Sequence, residues 1–100
     1  MKTIPTRIKI GGHWLEIKLR NRYEHGFDHV SSINHSAGVI FLNESLSLSK
    51  RWSCLIHEIL HELDWQLDLD LKENQVSAIA EGLFQVLTDN EMWDIKKEGE

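Results

Sequence analysis

The chain is poor in residues that would tie it down covalently or break it up. Cys54 is the sole cysteine and Pro5 the sole proline in 100 residues. No internal disulfide can form, which fits a reducing compartment, and no Pro-rich linker divides the sequence. No apolar run reaches the length of about eighteen residues that a membrane helix needs, so no helical span is expected. The opening MKTIPTRIKI lacks the apolar stretch of a secretory signal, and an intracellular protein is the expectation. A basic surplus is missing too: 11 Lys and Arg stand against 16 Asp and Glu, for a net charge of −5. That balance argues against nucleic acid as the main partner.

What is present suits one globular domain. Apolar residues make up 41% of the chain and charged residues 27%, enough for a single core and too little length for a second. Ile4, Ile8 and Ile10 before Gly11-Gly12, and Leu15, Ile17 and Leu19 after it, alternate as strands should. A Gly-Gly turn sets Ile8 across from Leu15 on one apolar face. Residues 21 to 29 are polar and read as a connection. A second strand pair is expected over Val30 to Ile33 and Val39 to Leu42, joined through Asn34 to Gly38, with the run Val39-Ile40-Phe41-Leu42 covered on both faces.

Two helices follow. Ser47 or Ser49 is a fitting cap for one from about Lys50 to Leu67, ended by Asp68 and Asp70. The other runs from Leu71 or Lys72 to Leu87, with Val76, Ala80, Leu83, Phe84 and Leu87 at helical spacing. The predicted fold class is α+β, a small antiparallel sheet of two hairpins followed by two packed helices, in one domain over 1–100 with residues 95–100 frayed. Cys54 sits beside Trp52, Leu55 and Ile56, which favours packing over a reactive thiol. Trp14, Trp52, Trp65 and Trp93 likewise read as packing residues.

The chemistry concentrates in Leu55-Ile56-His57-Glu58-Ile59-Leu60-His61-Glu62. Residues four apart on a helix lie about 40° apart around its axis, so two imidazoles can converge on one ion. Glu58, about 100° from His57, falls beside such an ion and suits a carboxylate that takes a proton from activated water. On the same wheel Trp52, Ile56, Ile59, Leu63 and Leu67 form an apolar stripe on the side away from the histidines. A catalytic zinc has three protein ligands and one open position. Glu73 shares the inward stripe of the second helix with Val76, Ala80 and Phe84 and is the leading third ligand. Glu81 is the alternative, with Asp64, Asp68 and Asp70 behind it. Asp64 could also orient a histidine from outside the site. Histidines 13, 25, 29 and 35 lack metal spacing and read as surface residues. Tyr23, the only tyrosine, is a weak catalytic candidate as an oxyanion donor.

The stretch from Cys54 to Trp65, with Glu73-Asn-Gln-Val76 and the run from Ala80 to Asn90, resembles small phage and prophage HExxH metallopeptidases, distant cousins of the ImmA/IrrE-type zinc peptidases. The likeness spans roughly residues 30 to 90. It implies a minimal zincin-like fold and a zinc ion on His57, His61 and Glu73, with peptide hydrolysis in a bacterial cytoplasm. Ser31 or Ser32 stands where that family carries an acidic residue. The expected function is therefore a zinc-dependent peptidase acting on a peptide or protein. The rival is a zinc-bearing module that binds a host or phage protein without hydrolysis. The resemblance names no substrate.

Overall fold

The computed structural model describes residues 2–21 and 30–92. Tyr23, His25, His29 and Trp93, and the tail expected to fray, lie outside them. Four strands, β1 (Arg7–Ile10), β2 (His13–Arg20), β3 (Ser31–Asn34) and β4 (Val39–Asn43), precede two helices, α1 (Leu48–Leu67) and α2 (Glu73–Asp89). The α+β class is as expected, with helix ends within two residues of those read from the sequence.

The β1–β2 hairpin has the expected register, Ile8 opposite Leu15, and closes at Ile10 and His13. Gly11 and Gly12 both take positive φ, 59° and 84°, as a two-residue turn matching the strand twist demands. Gly11 is favoured for a second reason, because a Cβ there would displace the Gln66 side-chain oxygen.

The sheet itself departs from expectation. Its order is β1-β2-β4-β3, and β2 pairs with β4 in parallel, from Glu16 with Val39 to Arg20 with Asn43. It is a mixed sheet and not an antiparallel one. The reason lies in strand polarity: β4 reads Val-Ile-Phe-Leu-Asn and β3 reads Ser-Ser-Ile-Asn. Placing the apolar strand in the middle buries it, and leaves the polar one to bear the edge. The connection between β2 and β3 is long enough for β3 to skip a place.

Only one face of the sheet is covered by a helix among the described residues. α1 packs across β1, β3 and β4, whereas α2 packs on α1 and touches no strand. Ile40 and Leu42, both 0% exposed, and Leu55 at 1% form the core with Ile10, Leu15 and Ile17. Val39 and Phe41 point to the other face and are half-buried, so the apolar run of β4 is not sandwiched as its sequence suggested. Removing the Leu55 side chain from this core is expected to cost about 2–5 kcal/mol.

Four residues of the predicted α1 stripe face the core as expected, Ile56 buried and Trp52, Ile59 and Leu63 packed against it, but the buried face extends to one side of that stripe. Leu67 is exposed, while Leu55, Ile56, Glu58 and Glu62 are buried. Ser47 caps the helix, its hydroxyl accepting the Lys50 amide at 3.3 Å. At the far end Asp64 is a connector: its carboxylate accepts the Leu71 amide at 3.0 Å, and its carbonyl accepts the Asp68 and Leu69 amides. Asp68 and Asp70 take left-handed conformations that turn the chain into α2. There the Lys72 amide is met by the Gln75 side chain at 2.9 Å.

Candidate metal centre

α1 carries the dipeptide His-Glu twice, at 57–58 and 61–62. One helical turn separates the copies, so the two histidines share one side of the helix and the two glutamates share another. The histidines turn toward the start of α2. His57 Nε2 lies 2.9 Å from Glu73 Oε1, His61 Nε2 lies 2.9 Å from Glu73 Oε2, and the two nitrogens are 3.1 Å apart. These three residues form the one group among the described residues whose donor atoms are close enough to hold a metal ion together.

A tetrahedral ion bonded to nitrogen and oxygen at roughly 2.05 Å needs donors roughly 3.3 Å apart. The N···N separation and the two N···O contacts, which go to different oxygens of Glu73, are each within a few tenths of an ångström of that. Neutral imidazoles cannot satisfy all three contacts by themselves. Two Nε2–H groups could each donate to Glu73, but they would then face one another; a cation between the three lone pairs satisfies every atom. The imidazoles are about three-quarters buried, whereas Glu73 is 67% exposed. Glu73 is thus in the expected inward direction but at the first turn of α2, where its carboxylate reaches the histidines from the solvent side. Glu81 lines the adjacent cleft and lies outside the triad, as do Asp64, Asp68 and Asp70.

The glutamates turn toward the edge strand. Glu58 is 4% exposed, and Ser31 on β3 donates its hydroxyl to Glu58 Oε2 at 2.6 Å. Glu62, 3% exposed, meets His35 Nδ1 at 2.8 Å through Oε1 and accepts from Gln66 Nε2 at 2.8 Å through Oε2. Gln66 also donates to the Ile10 carbonyl at 3.0 Å. The His35 ring stacks on Trp65, with centroids 5.1 Å apart and planes within 10°. His35 is therefore no free surface histidine: a buried carboxylate holds one side of its ring and an indole covers its face.

Neither the Glu62–His35 bond nor the Ser31–Glu58 bond was anticipated from the sequence. The signal for both was the repeat itself, since a residue four past the buried Glu58 must face the same neighbour. Trp14 and Trp65, read as packing residues, are 54% and 58% exposed. Trp52 does pack against the core, and its indole donates to the Lys2 carbonyl.

A cleft of about 690 Å³ opens beside the triad, walled by α1, α2 and the start of β3. His57, Glu58, Glu73, Ser31 and Cys54 all line it. Cys54 is half-buried, and burial pushes its thiol up from the ordinary value. The Ser31 hydrogen bond and Lys50 oppose that rise, and the Glu58 charge adds to it. Among the described residues no helix is long and apolar enough to cross a membrane. Comparisons with protein-family models, curated proteins and solved structures found no match to this chain.

Proposed function

We propose that the chain is a minimal zinc-dependent peptidase, with His57, His61 and Glu73 holding the ion and Glu58 acting as general base. The observation that carries this reading is the convergence of two imidazoles and one carboxylate within 2.9–3.1 Å, beside a second carboxylate in the same cleft. Two nitrogens and one carboxylate oxygen form a donor set that favours zinc and leaves a position open. The ion supplies Lewis acidity, which activates water at neutral pH and polarises a carbonyl oxygen.

Glu58 provides the proton handling. Ser31 occupies Oε2, which fixes the carboxylate plane and leaves Oε1 to take a proton from the attacking water and return it to the leaving amine. Binding falls to β3. β4 cannot receive an extended peptide, because both its edges are occupied, by β2 and β3. Among the described residues the sheet ends at β3, beside the cleft. The Val30 carbonyl accepts the Asn43 amide; the alternation of an antiparallel ladder therefore directs the main-chain groups of Ser31 and Ile33 outward. An extended peptide can add there by backbone bonding alone.

One observation favours the rival reading, a zinc-bearing binding module. Glu58 and Glu62 are both buried and both fasten the segment around β3 to α1, so Glu58 could serve only as Glu62 does. The Glu58→Gln variant separates the two. With zinc retained, peptidase chemistry predicts a fall in kcat of about 10²- to 10⁴-fold on a substrate selected from a peptide library. Unchanged turnover would reject the base. Zinc binding with no cleavage of any peptide by the wild type would leave the module.

A further inference from the structure

The sheet has a second edge besides β3. β1 ends the strand order β1-β2-β4-β3, and among the described residues no strand pairs with its outer side. The Ile17 amide donates to the Thr6 carbonyl at 2.8 Å, and Ile8 lies opposite Leu15. Thr6, Ile8 and Ile10 therefore turn their main-chain groups toward β2, and antiparallel alternation turns those of Arg7 and Lys9 outward. The side chains of Arg7 and Lys9 are exposed on the sheet face away from α1, whereas Ile8 packs against the core.

These two cations are not neutralised. Among the described residues no carboxylate lies within ion-pair distance of Arg7 or Lys9. Glu16, opposite Arg7 in the hairpin, is engaged by Lys18 at 3.6 Å. Trp14 gathers the pair instead: the Arg7 guanidinium lies 4.1 Å from the centre of its ring, and Lys9 Nζ lies 5.7 Å from it. A guanidinium over an indole is held in place with the edge of its fork free, and that edge fits a carboxylate.

We propose that the β1 edge binds an extended acidic segment of a partner protein as an added strand. Acidic side chains two residues apart lie opposite Arg7 and Lys9, with an apolar one between them opposite Ile8. The outward main-chain groups supply the ladder bonds, the register sets the acids on the cations, and the middle side chain falls on the α1 side beside Ile8. Cations on an edge repel edges of their own sign. A second β1 is thereby excluded, since antiparallel pairing about Ile8 opposes Arg7 to Lys9. The chain's own acid-apolar-acid run, Asp68-Leu69-Asp70, has left-handed φ at both acids, 51° and 55°, which a strand does not take. The occupant is therefore a different protein. Nucleic acid has no amide ladder to offer, and Arg7 covers the ring on which a base would stack. The proposal does not rest on the zinc site.

Titration of a capped peptide, Thr-Glu-Val-Glu-Thr, into the isotope-labelled full chain, followed by amide NMR shifts, tests this. The expected result is saturable shifts at Arg7, Ile8 and Lys9 and none at Ser31–Asn34 on β3, with binding weakened several-fold between about 50 and about 500 mM salt. Methylating the two Glu amides of the peptide removes ladder N–H groups while keeping the charge, and abolishes binding. Thr-Lys-Val-Lys-Thr does not bind the wild type. Arg7→Glu with Lys9→Glu reverses the preference, so that the Lys peptide binds about tenfold better than the Glu peptide. Circular dichroism and the unfolding midpoint confirm that this variant is folded. No shifts at about 2 mM peptide, equal binding of the methylated peptide, shifts on β3 in place of β1, or a folded variant that still prefers the Glu peptide would overturn the proposal.

Discussion

Glu58 and Glu62 are the same residue type one turn apart on one helix, and their partners set them different tasks. Glu62 has both oxygens engaged, by His35 and Gln66, and lies in the wall of a different cleft from the triad. Glu62→Ala leaves the His35 and Gln66 groups without their acceptor and is expected to cost about 2–3 kcal/mol in urea unfolding, with zinc content unchanged. Ser31→Ala removes one bond to a buried carboxylate, about 1.5–3 kcal/mol in the same measurement. It is also expected to lower kcat, because Glu58 is then free to rotate. Cys54 gives a pH signature. Its raised folded-state value means that the folded chain holds the thiol proton where the unfolded chain has released it. Stability is therefore intact below the ordinary thiol value and falls as pH rises above it, toward the folded-state value. Cys54→Ala should flatten the alkaline arm of the stability profile, and alkylation of native Cys54 at neutral pH should be slow.

At the scale of elements, the arrangement turns on how α1 is fixed. Ser31 and His35, four residues apart in and just after β3, bond to Glu58 and Glu62, one turn apart on α1. These bonds hold the edge of the sheet against the motif helix, while the histidines on the adjoining side meet α2. Much of this was legible in the sequence. The Gly11-Gly12 turn, the Ser47 cap and both helices follow from local chemistry, and Glu73 follows from the wheel of α2. What was not legible depended on which strand lies beside which. The parallel pairing of β2 with β4 arises from a choice between two strands of unequal polarity, which periodicity within each strand cannot show. His35 looked like surface because its partner is 27 residues away, and the sheet-facing glutamates broke the apolar pattern used to orient α1. Gly11→Ala tests the hairpin: it meets Gln66 and a positive φ together, and a loss exceeding about 1 kcal/mol is expected.

For the whole molecule, one face of a four-stranded sheet is covered by one helix, and the second helix rests on the first. On the proposed reading, an ion held by the triad would tie α1 to the start of α2 and stabilise a core this small. Zinc at about a hundred times its dissociation constant adds about 2.7 kcal/mol, so chelation should lower the thermal midpoint on the order of 10 °C. The overall charge conceals an uneven distribution, since the cationic residues of β1 and β2 are gathered on the sheet face away from α1 while the triad lies beyond α1 on the other side.

The most direct test is zinc bound per chain in purified protein, measured for wild type, Glu73→Ala and Glu62→Gln. One zinc per wild-type chain, lost or greatly weakened in Glu73→Ala and kept in Glu62→Gln, is the predicted result. A wild-type chain that takes up no zinc, or a zinc indifferent to Glu73, would contradict the site and the peptidase built on it.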